Sequence, residues 1–290
     1  MKKLIFVILI INILSCKKNT ETPINLEQNC KVKKLSNDTS RIATGNNYFN
    51  VTYVNQNITE IVSSVNPKVK EVFTYDNLGF LTKNEEFYSI NNVGGEDTIV
   101  RSRKVYSYNS MGNISTISFY GRNYAGTNPP TSTLYYAGLD SLFYNNGLIS
   151  ERKRYQPSYI GNGILIFREK ENYVWTNEDI TSSKLFDYSG INGSLSGTLT
   201  INYTYDITKE NKIDKNLKKI QYHIADAGYA EYGLRNSKHI LTKTNEQSSF
   251  SVPQINTYTT ILYDNGFVKS IKVNQTNTSY FICDFEYDCK

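Results

Sequence analysis

Residues Thr257–Val273 read TYTTILYDNGFVKSIKV: a run of Thr, Tyr and Ile, the tetrad Tyr263-Asp264-Asn265-Gly266, then a second run from Phe267 to Val273. In the second run Phe267, Lys269, Ile271 and Val273 alternate with Val268, Ser270 and Lys272. β-Branched and aromatic residues suit strands, and Asn265-Gly266 suits the positive φ angles of a type I′ turn, so the stretch reads as an antiparallel hairpin. The pattern recurs at Tyr75-Asp76-Asn77-Leu78-Gly79, Tyr108-Asn109-Ser110-Met111-Gly112 and Tyr144-Asn145-Asn146-Gly147, with a weaker echo at Asp187-Tyr188-Ser189-Gly190. Its first three tyrosines lie 33 and 36 residues apart. Such loose spacing describes an imperfect hairpin repeat whose turns rest on Asn77, Gly79, Gly112, Gly147, Asn265 and Gly266.

Working outward, strand runs flank Asn55-Gln56-Asn57, and further pairs meet at 76–79, 109–112 and 145–147. Residues 164–167 and 173–176 read as two short strands around a charged turn, and 209–219 as a solvated basic turn. The fold class that follows is all-β and mainly antiparallel. The expected architecture is a meandering repeat-like sheet, curled or split into two packed sheets, with a minor helical or loop segment near 225–241. An open sheet has two edges, and Arg101, Arg103, Lys104 and the run Glu151-Arg152-Lys153-Arg154 are placed to discourage edge-to-edge pairing.

The chain begins with Lys2 and Lys3, runs through apolar Leu4–Ile11, and reaches Ile13-Leu14-Ser15-Cys16. The apolar run is too short for a membrane span, which needs about 20 residues, and has the form of an export signal. Ile13-Leu14-Ser15-Cys16 resembles a bacterial lipobox. The resemblance implies cleavage before Cys16, diacylglycerol on its sulfur and an acyl group on its amine. Lys17 stands where the familiar inner-membrane retention signal has Asp, so the expected address is the outer membrane, with the leaflet left open. The segments are thus a signal peptide over 1–15, a polar lipid-anchored tether over 16–29 and a β-rich domain over 30–290.

Loss of Lys2 and Lys3 lowers the formal charge from +5 to +3. That is too weak a field to point to nucleic acid, so the expected partners are the membrane, through the lipid, and an envelope protein or glycan. Three further cysteines remain. Cys283 and Cys289 are six residues apart; in an extended strand that is about 20 Å, beyond the reach of a disulfide. The open alternatives are a bond from Cys30 to Cys283 or to Cys289, or free thiols.

Searches for chemistry return little. His223 and His239 stand apart, no His-Glu-x-x-His, CxxC or calcium-loop pattern occurs, and Gly190–Gly197 lacks the lysine of a phosphate-binding loop. Asp284, Glu286 and Asp288 alternate as a solvated strand face would. No cofactor, metal or catalytic residue is nominated.

Tyr203-Thr204-Tyr205-Asp206, Ser237-Lys238-His239-Ile240, Tyr263-Asp264-Asn265-Gly266 and Phe285-Glu286-Tyr287-Asp288 occur in an order that resembles an uncharacterised family of Bacteroidetes lipoproteins with Tyr-Asp repeat-like strands, and more distantly Rhs-like repeat proteins. The resemblance implies an extensive β structure and carries over no catalytic residues. The family's Asn-Pro turn is missing, with Asn211-Lys212-Ile213 in its place. The leading reading is a non-enzymatic envelope lipoprotein with a structural or protein-interaction role. The alternative, suggested by 24 tyrosines, is a carbohydrate-binding surface, and the third is an envelope hydrolase.

Overall fold

The computed structural model describes residues 30–36, 48–92, 95–122, 133–158, 164–189, 193–214, 217, 237–249, 251–274 and 279–289. The signal segment, the tether with Cys16, His223 and residues 225–236 lie outside them. The described elements are all strands: β1 (Cys30–Ser36), β2 (Phe49–Val54), β3 (Asn57–Ser63), β4 (Lys70–Tyr75), β5 (Leu81–Asn92), β6 (Gly95–Tyr108), β7 (Ile114–Gly121) and β8 (Tyr135–Asn145), then β9 (Leu148–Pro157), β10 (Leu165–Thr176), β11 (Asp179–Tyr188), β12 (Leu195–Glu210), β13 (His239–Ser248), β14 (Gln254–Leu262), β15 (Val268–Asn274) and β16 (Ser279–Cys289).

Each strand pairs antiparallel with its sequence neighbours, and β1 also pairs with β16, so sixteen strands close into a barrel. This overturns the expected curled or split sheet. Local alternation shows that hairpins pair in series, but closure lives in one register, Cys30↔Cys289 through Ser36↔Asp284, between opposite ends of the chain. No sheet edge is left over for Glu151–Arg154 to guard. Of the alternatives open to Cys30, the structure has the bond to Cys289, directly across the closing seam.

Three further expectations are corrected. Residues 168–172 do not turn: β10 runs unbroken from Leu165 to Thr176, and the turn falls at Asn177-Glu178. Of residues 209–219, Lys209 and Glu210 end β12 and Asn211, Ile213, Asp214 and Leu217 are buried, so the described part is not a solvated turn. Of the helical or loop segment near 225–241, His239–Leu241 begins β13.

The tight turns form two classes. Asn55-Gln56, Asn146-Gly147 and Asn177-Glu178 each have positive φ at both positions, the geometry of two-residue type I′ loops. In Asp76–Gly79, Asn109–Gly112 and Tyr263–Gly266 only the glycine is positive, at +80°, +78° and +83°. Its N–H donates back to the carbonyl of the first residue of each tetrad, giving a type I turn with a glycine bulge. The quoted hairpin therefore belongs to the second class and not to type I′, and the positive φ falls on Gly266 alone.

All of these turns lie at one end of the barrel, together with Cys30, Cys289 and the start of the β12–β13 connection. The opposite end carries the connections after β1, β3, β5, β7, β9, β11, β13 and β15, several of them much longer. Inside the turn end the strands bury Ile58, Leu81, Ile114, Ile149, Ile180, Val268 and Phe285 in one apolar cluster. That packed floor is a fully buried core in an otherwise closed sheet.

Candidate functional site

The end holding the tight turns is sealed by two devices. The first is a set of aromatic side chains at strand ends whose polar tips are satisfied by backbone carbonyls. Tyr75 OH donates to Ile58 O at 2.7 Å, Tyr108 OH to Leu81 O at 2.8 Å, Trp175 Nε1 to Ile149 O at 2.6 Å and Tyr205 OH to Ile180 O at 2.8 Å. Each acceptor opens the second strand of the preceding hairpin. Burial holds the Tyr75 and Tyr205 hydroxyls well above the usual tyrosine range and pushes Tyr108 up to about 12. The second device is the chain after β12. Val268 N–H donates to Lys212 O, and Asp214 Oδ2 accepts from Val32 N–H at 2.9 Å and Tyr53 OH at 2.7 Å. The β1–β2 ladder covers only Lys34↔Asn50 and Leu35↔Phe49, so Asp214 joins these strands where their pairing has ended.

Above the floor the inner wall turns polar. On β8 to β10, Arg152 reaches Asp140 at 3.4 Å and both Glu169 and Glu171 at 3.2 Å. Arg154 grips Asp140 through two nitrogens at 2.8 and 3.0 Å and approaches Glu169 at 3.5 Å. Tyr173 OH donates to Glu171 Oε2 at 2.7 Å. On β13 and β14, Asn256 Nδ2 donates to Glu246 Oε1 at 2.6 Å and to Thr244 Oγ1 at 3.3 Å. Burial raises the Glu246 carboxyl, against the lowering effect of Asn256 and Thr244.

Side-chain exposure on β8 to β10 grades from 1% at Glu171 through 6% at Arg152 and 20% at Glu169 to 33% at Arg154. The wall thus opens toward the end with the longer connections, which makes that mouth the candidate functional site. Sequence reading missed this wall. Arg152 and Arg154 point inward while Glu151 and Lys153 point outward, and the only available signal was the in-and-out alternation of charge in Glu151–Arg154 and Arg168–Asn172.

The outer face is charged around the circumference. Glu60 pairs with Lys70 at 2.6 Å, Glu85 with Lys83 and Arg103 at 2.7 and 2.6 Å, and Glu151 with Lys170 and Lys153 at 2.6 and 3.1 Å. A lysine or arginine facing lipid at mid-bilayer costs about 2–4 kcal/mol, and these pairs share the outer face with exposed Phe143, Val174 and Ile261. Near the mouth, three outward rings stack across β9, β10 and β11: Tyr155 on Phe167 with centroids 5.6 Å apart, and Phe167 on Tyr188 at 4.8 Å.

The expected site residues fall as follows. Gly79, Gly112, Gly147 and Gly266 occupy turns at positive φ. Asn265 holds its turn by accepting from Phe267 N–H at 3.2 Å, and Asn77 lies in the Asp76–Gly79 turn. His239 Nδ1 meets Asp179 at 2.7 Å, and no three metal-ligating side chains cluster among the described residues. Glu286 is paired with Lys34 at 2.9 Å, and Asp284 is buried, so the acidic alternation of β16 is no free solvated row.

No family model matches the chain, and no curated protein matches it. Among solved structures, a porin-like protein from Bacteroides vulgatus aligns over 89% of this chain and 98% of its own, at 15% identity and a TM-score of 0.40. A porin-like protein from Bacteroides uniformis aligns over 89% and 96%, at 13% identity and a TM-score of 0.36. A protein of unknown function from Bacteroides fragilis aligns over 44% and 87%, at 12% identity and a TM-score of 0.34. Likeness at this level leaves the assignment to the chain's own geometry.

Proposed function

We propose that this chain is a non-enzymatic envelope lipoprotein, anchored through lipid on Cys16 at the outer membrane, whose barrel presents its mouth to a partner protein. The supporting observation is polarity of placement: Cys30, where the tether joins the domain, sits at the end that holds six tight turns and the 211–238 connection, and the inner wall turns charged and more exposed toward the other end. A tether of residues 16–29 spans at most about 50 Å when fully extended. The sealed end therefore stays near the bilayer while the mouth faces away. A polar outer wall fits a domain that stands in water beside its membrane, with acyl chains supplying the attachment.

The lipid arm is tested by Cys16→Ala, which moves the protein from the membrane pellet to the soluble fraction and abolishes incorporation of labelled palmitate; unchanged pelleting and labelling refute it. The interaction arm is tested by proximity labelling from the intact protein in its native cells, followed by reciprocal pull-down with the soluble barrel. Reproducible envelope proteins, lost on substitution of mouth residues, are the expected result.

A second reading is a carbohydrate-binding surface, favoured by the Tyr155–Phe167–Tyr188 stack on the outer wall, since aromatic faces pack against the C–H faces of sugars as well as against protein. A glycan array with no binding above background, for a folded barrel, sinks it.

A further inference from the structure

In the ion pairs of the polar wall three carboxylates meet two guanidiniums. Asp140, Glu169 and Glu171 share two guanidinium groups, Arg152 and Arg154, through the contacts given above. The other charged group of this stretch whose direction is settled is turned away: Lys170 pairs outside with Glu151. Arg168 stands at the bulge between Phe167 and Glu169, toward the mouth, and Asp187 lies opposite Glu169 on β11. Facing Glu171 itself are Arg152 from β9, Tyr173 on its own strand, Ser183 and Leu185 from β11, and Tyr203 from β12. Arg152 is the one cation in that set. It is shared with two other carboxylates.

Glu171 is the most deeply buried of the three acids. Its Oε2 takes both Arg152 and Tyr173, while its Oε1 is buried and makes no hydrogen bond of good geometry, Ser183 of β11 being the remaining neighbour that favours its charged form. An ionised carboxylate with one oxygen unsolvated is costly, and the cheapest remedy open to a buried acid is to keep its proton.

We infer that the Asp140–Arg152–Arg154–Glu169–Glu171 cluster is a proton-binding site, with the proton on Glu171, and that losing this proton loosens the β8–β11 wall of the mouth. Neutral Glu171 leaves two carboxylates facing two guanidiniums. Ionised Glu171 makes a third negative charge beside the two guanidiniums it shares with Asp140 and Glu169, and water must enter to solvate it. Burial acts in the same direction, raising the Glu171 carboxyl above its ordinary value against the lowering effect of Arg152, Tyr173 and Ser183. A folded-state value above the unfolded one means that folding takes up a proton in the interval between them. The stabilisation is complete below the ordinary Glu range and fades as pH rises through the folded value. The inference stands whatever the mouth binds.

The first measurement is the carboxyl 13C titration of the folded, disulfide-bonded barrel, with the Glu171 signal assigned by comparison with Glu171→Gln. The expected result is a midpoint for Glu171 above the ordinary Glu range, with amide exchange in β9–β11 speeding as Glu171 ionises. In urea unfolding, Glu171→Gln removes the fall in stability with rising pH seen in the unsubstituted protein, whereas Glu169→Gln keeps it. A Glu171 signal that titrates at or below the ordinary Glu value overturns the inference, and so does a pH slope that survives Glu171→Gln. Should Glu171→Gln not fold, the Glu signals of the unsubstituted barrel decide alone: none titrating above the ordinary range overturns it.

Discussion

The two ends of this barrel are made from the same antiparallel hairpins and differ in what fills them. At the sealed end six of the seven connections are tight turns, the interior is apolar, and Tyr75, Tyr108, Trp175 and Tyr205 place their polar tips on carbonyls of the hairpin before them. Toward the mouth the same strands turn charged side chains inward, the connections lengthen and the ion pairs grow progressively wetter. The contrast puts apolar packing and a charged inner wall at opposite ends of one sheet. Substitutions at the two ends should separate by size, and that ordering is how the contrast can be broken.

The largest loss is expected in the floor. Ile180 is fully buried in the apolar cluster, and Ile180→Ala should cost about 2–5 kcal/mol by removing buried methylenes and leaving a cavity. Urea unfolding followed by fluorescence reads it. A cost under about 1 kcal/mol would mean that the floor is not close-packed.

Next comes the seam. Asp214→Ala strips the acceptor from Val32 N–H and Tyr53 OH together, and an unsatisfied buried donor costs about 1–3 kcal/mol. Asp214→Asn keeps an oxygen and should lose less. The discriminating readout is hydrogen exchange at Val32, which should speed in Asp214→Ala far more than exchange at Leu35, where the β1–β2 ladder is intact. Equal changes at both residues would show that Asp214 does not close the seam locally.

How much of this was legible follows the same division. The hairpins at 76–79, 109–112, 145–147 and 263–266 could be read because a turn needs particular residues at particular places and strands on each side alternate. The purpose of the tyrosine in the Tyr-Asp pattern could not, since Tyr75 and Tyr108 act on carbonyls 17 and 27 residues away. Nor could the closure, which depends on β1 finding β16, or the inner wall. Strand β10 looked like two short strands because Glu169 and Glu171 break the apolar alternation, and nothing local says that Arg152 waits opposite them. β13 was missed for a related reason: its Lys243, Asn245 and Gln247 alternate with a face of Thr244, Glu246 and Ser248 that is itself polar.

A smaller effect distinguishes the two turn classes. Gly266 sits at φ +83° with Lys212 side-chain atoms 3.6 Å and more from an added Cβ, whereas Gly147, at +79°, has open space around it. A left-handed residue other than glycine costs roughly 1–2 kcal/mol, so both Gly→Ala changes should fall in that range, with Gly266→Ala at least as costly. The test is whether Asn tolerates these sites better than Ala, since its short polar side chain visits this region more readily. Equal stability for Ala and Gly at either site would contradict the turn geometry.

The smallest effect is expected on the outer wall, and it bears on where the barrel lives. Lys153 pairs with Glu151 on a face that this reading puts in water, and such exposed pairs are worth about 0–1 kcal/mol. Lys153→Leu should therefore change urea stability by less than about 1 kcal/mol, and the loss of charge should not draw the lipid-free domain, residues 30–290, onto vesicles. If the wall faced hydrocarbon, removing a lysine there would instead stabilise the protein by about 2–4 kcal/mol in a bilayer. The sign and the solvent dependence of this one substitution separate a barrel that stands beside its membrane from one that crosses it.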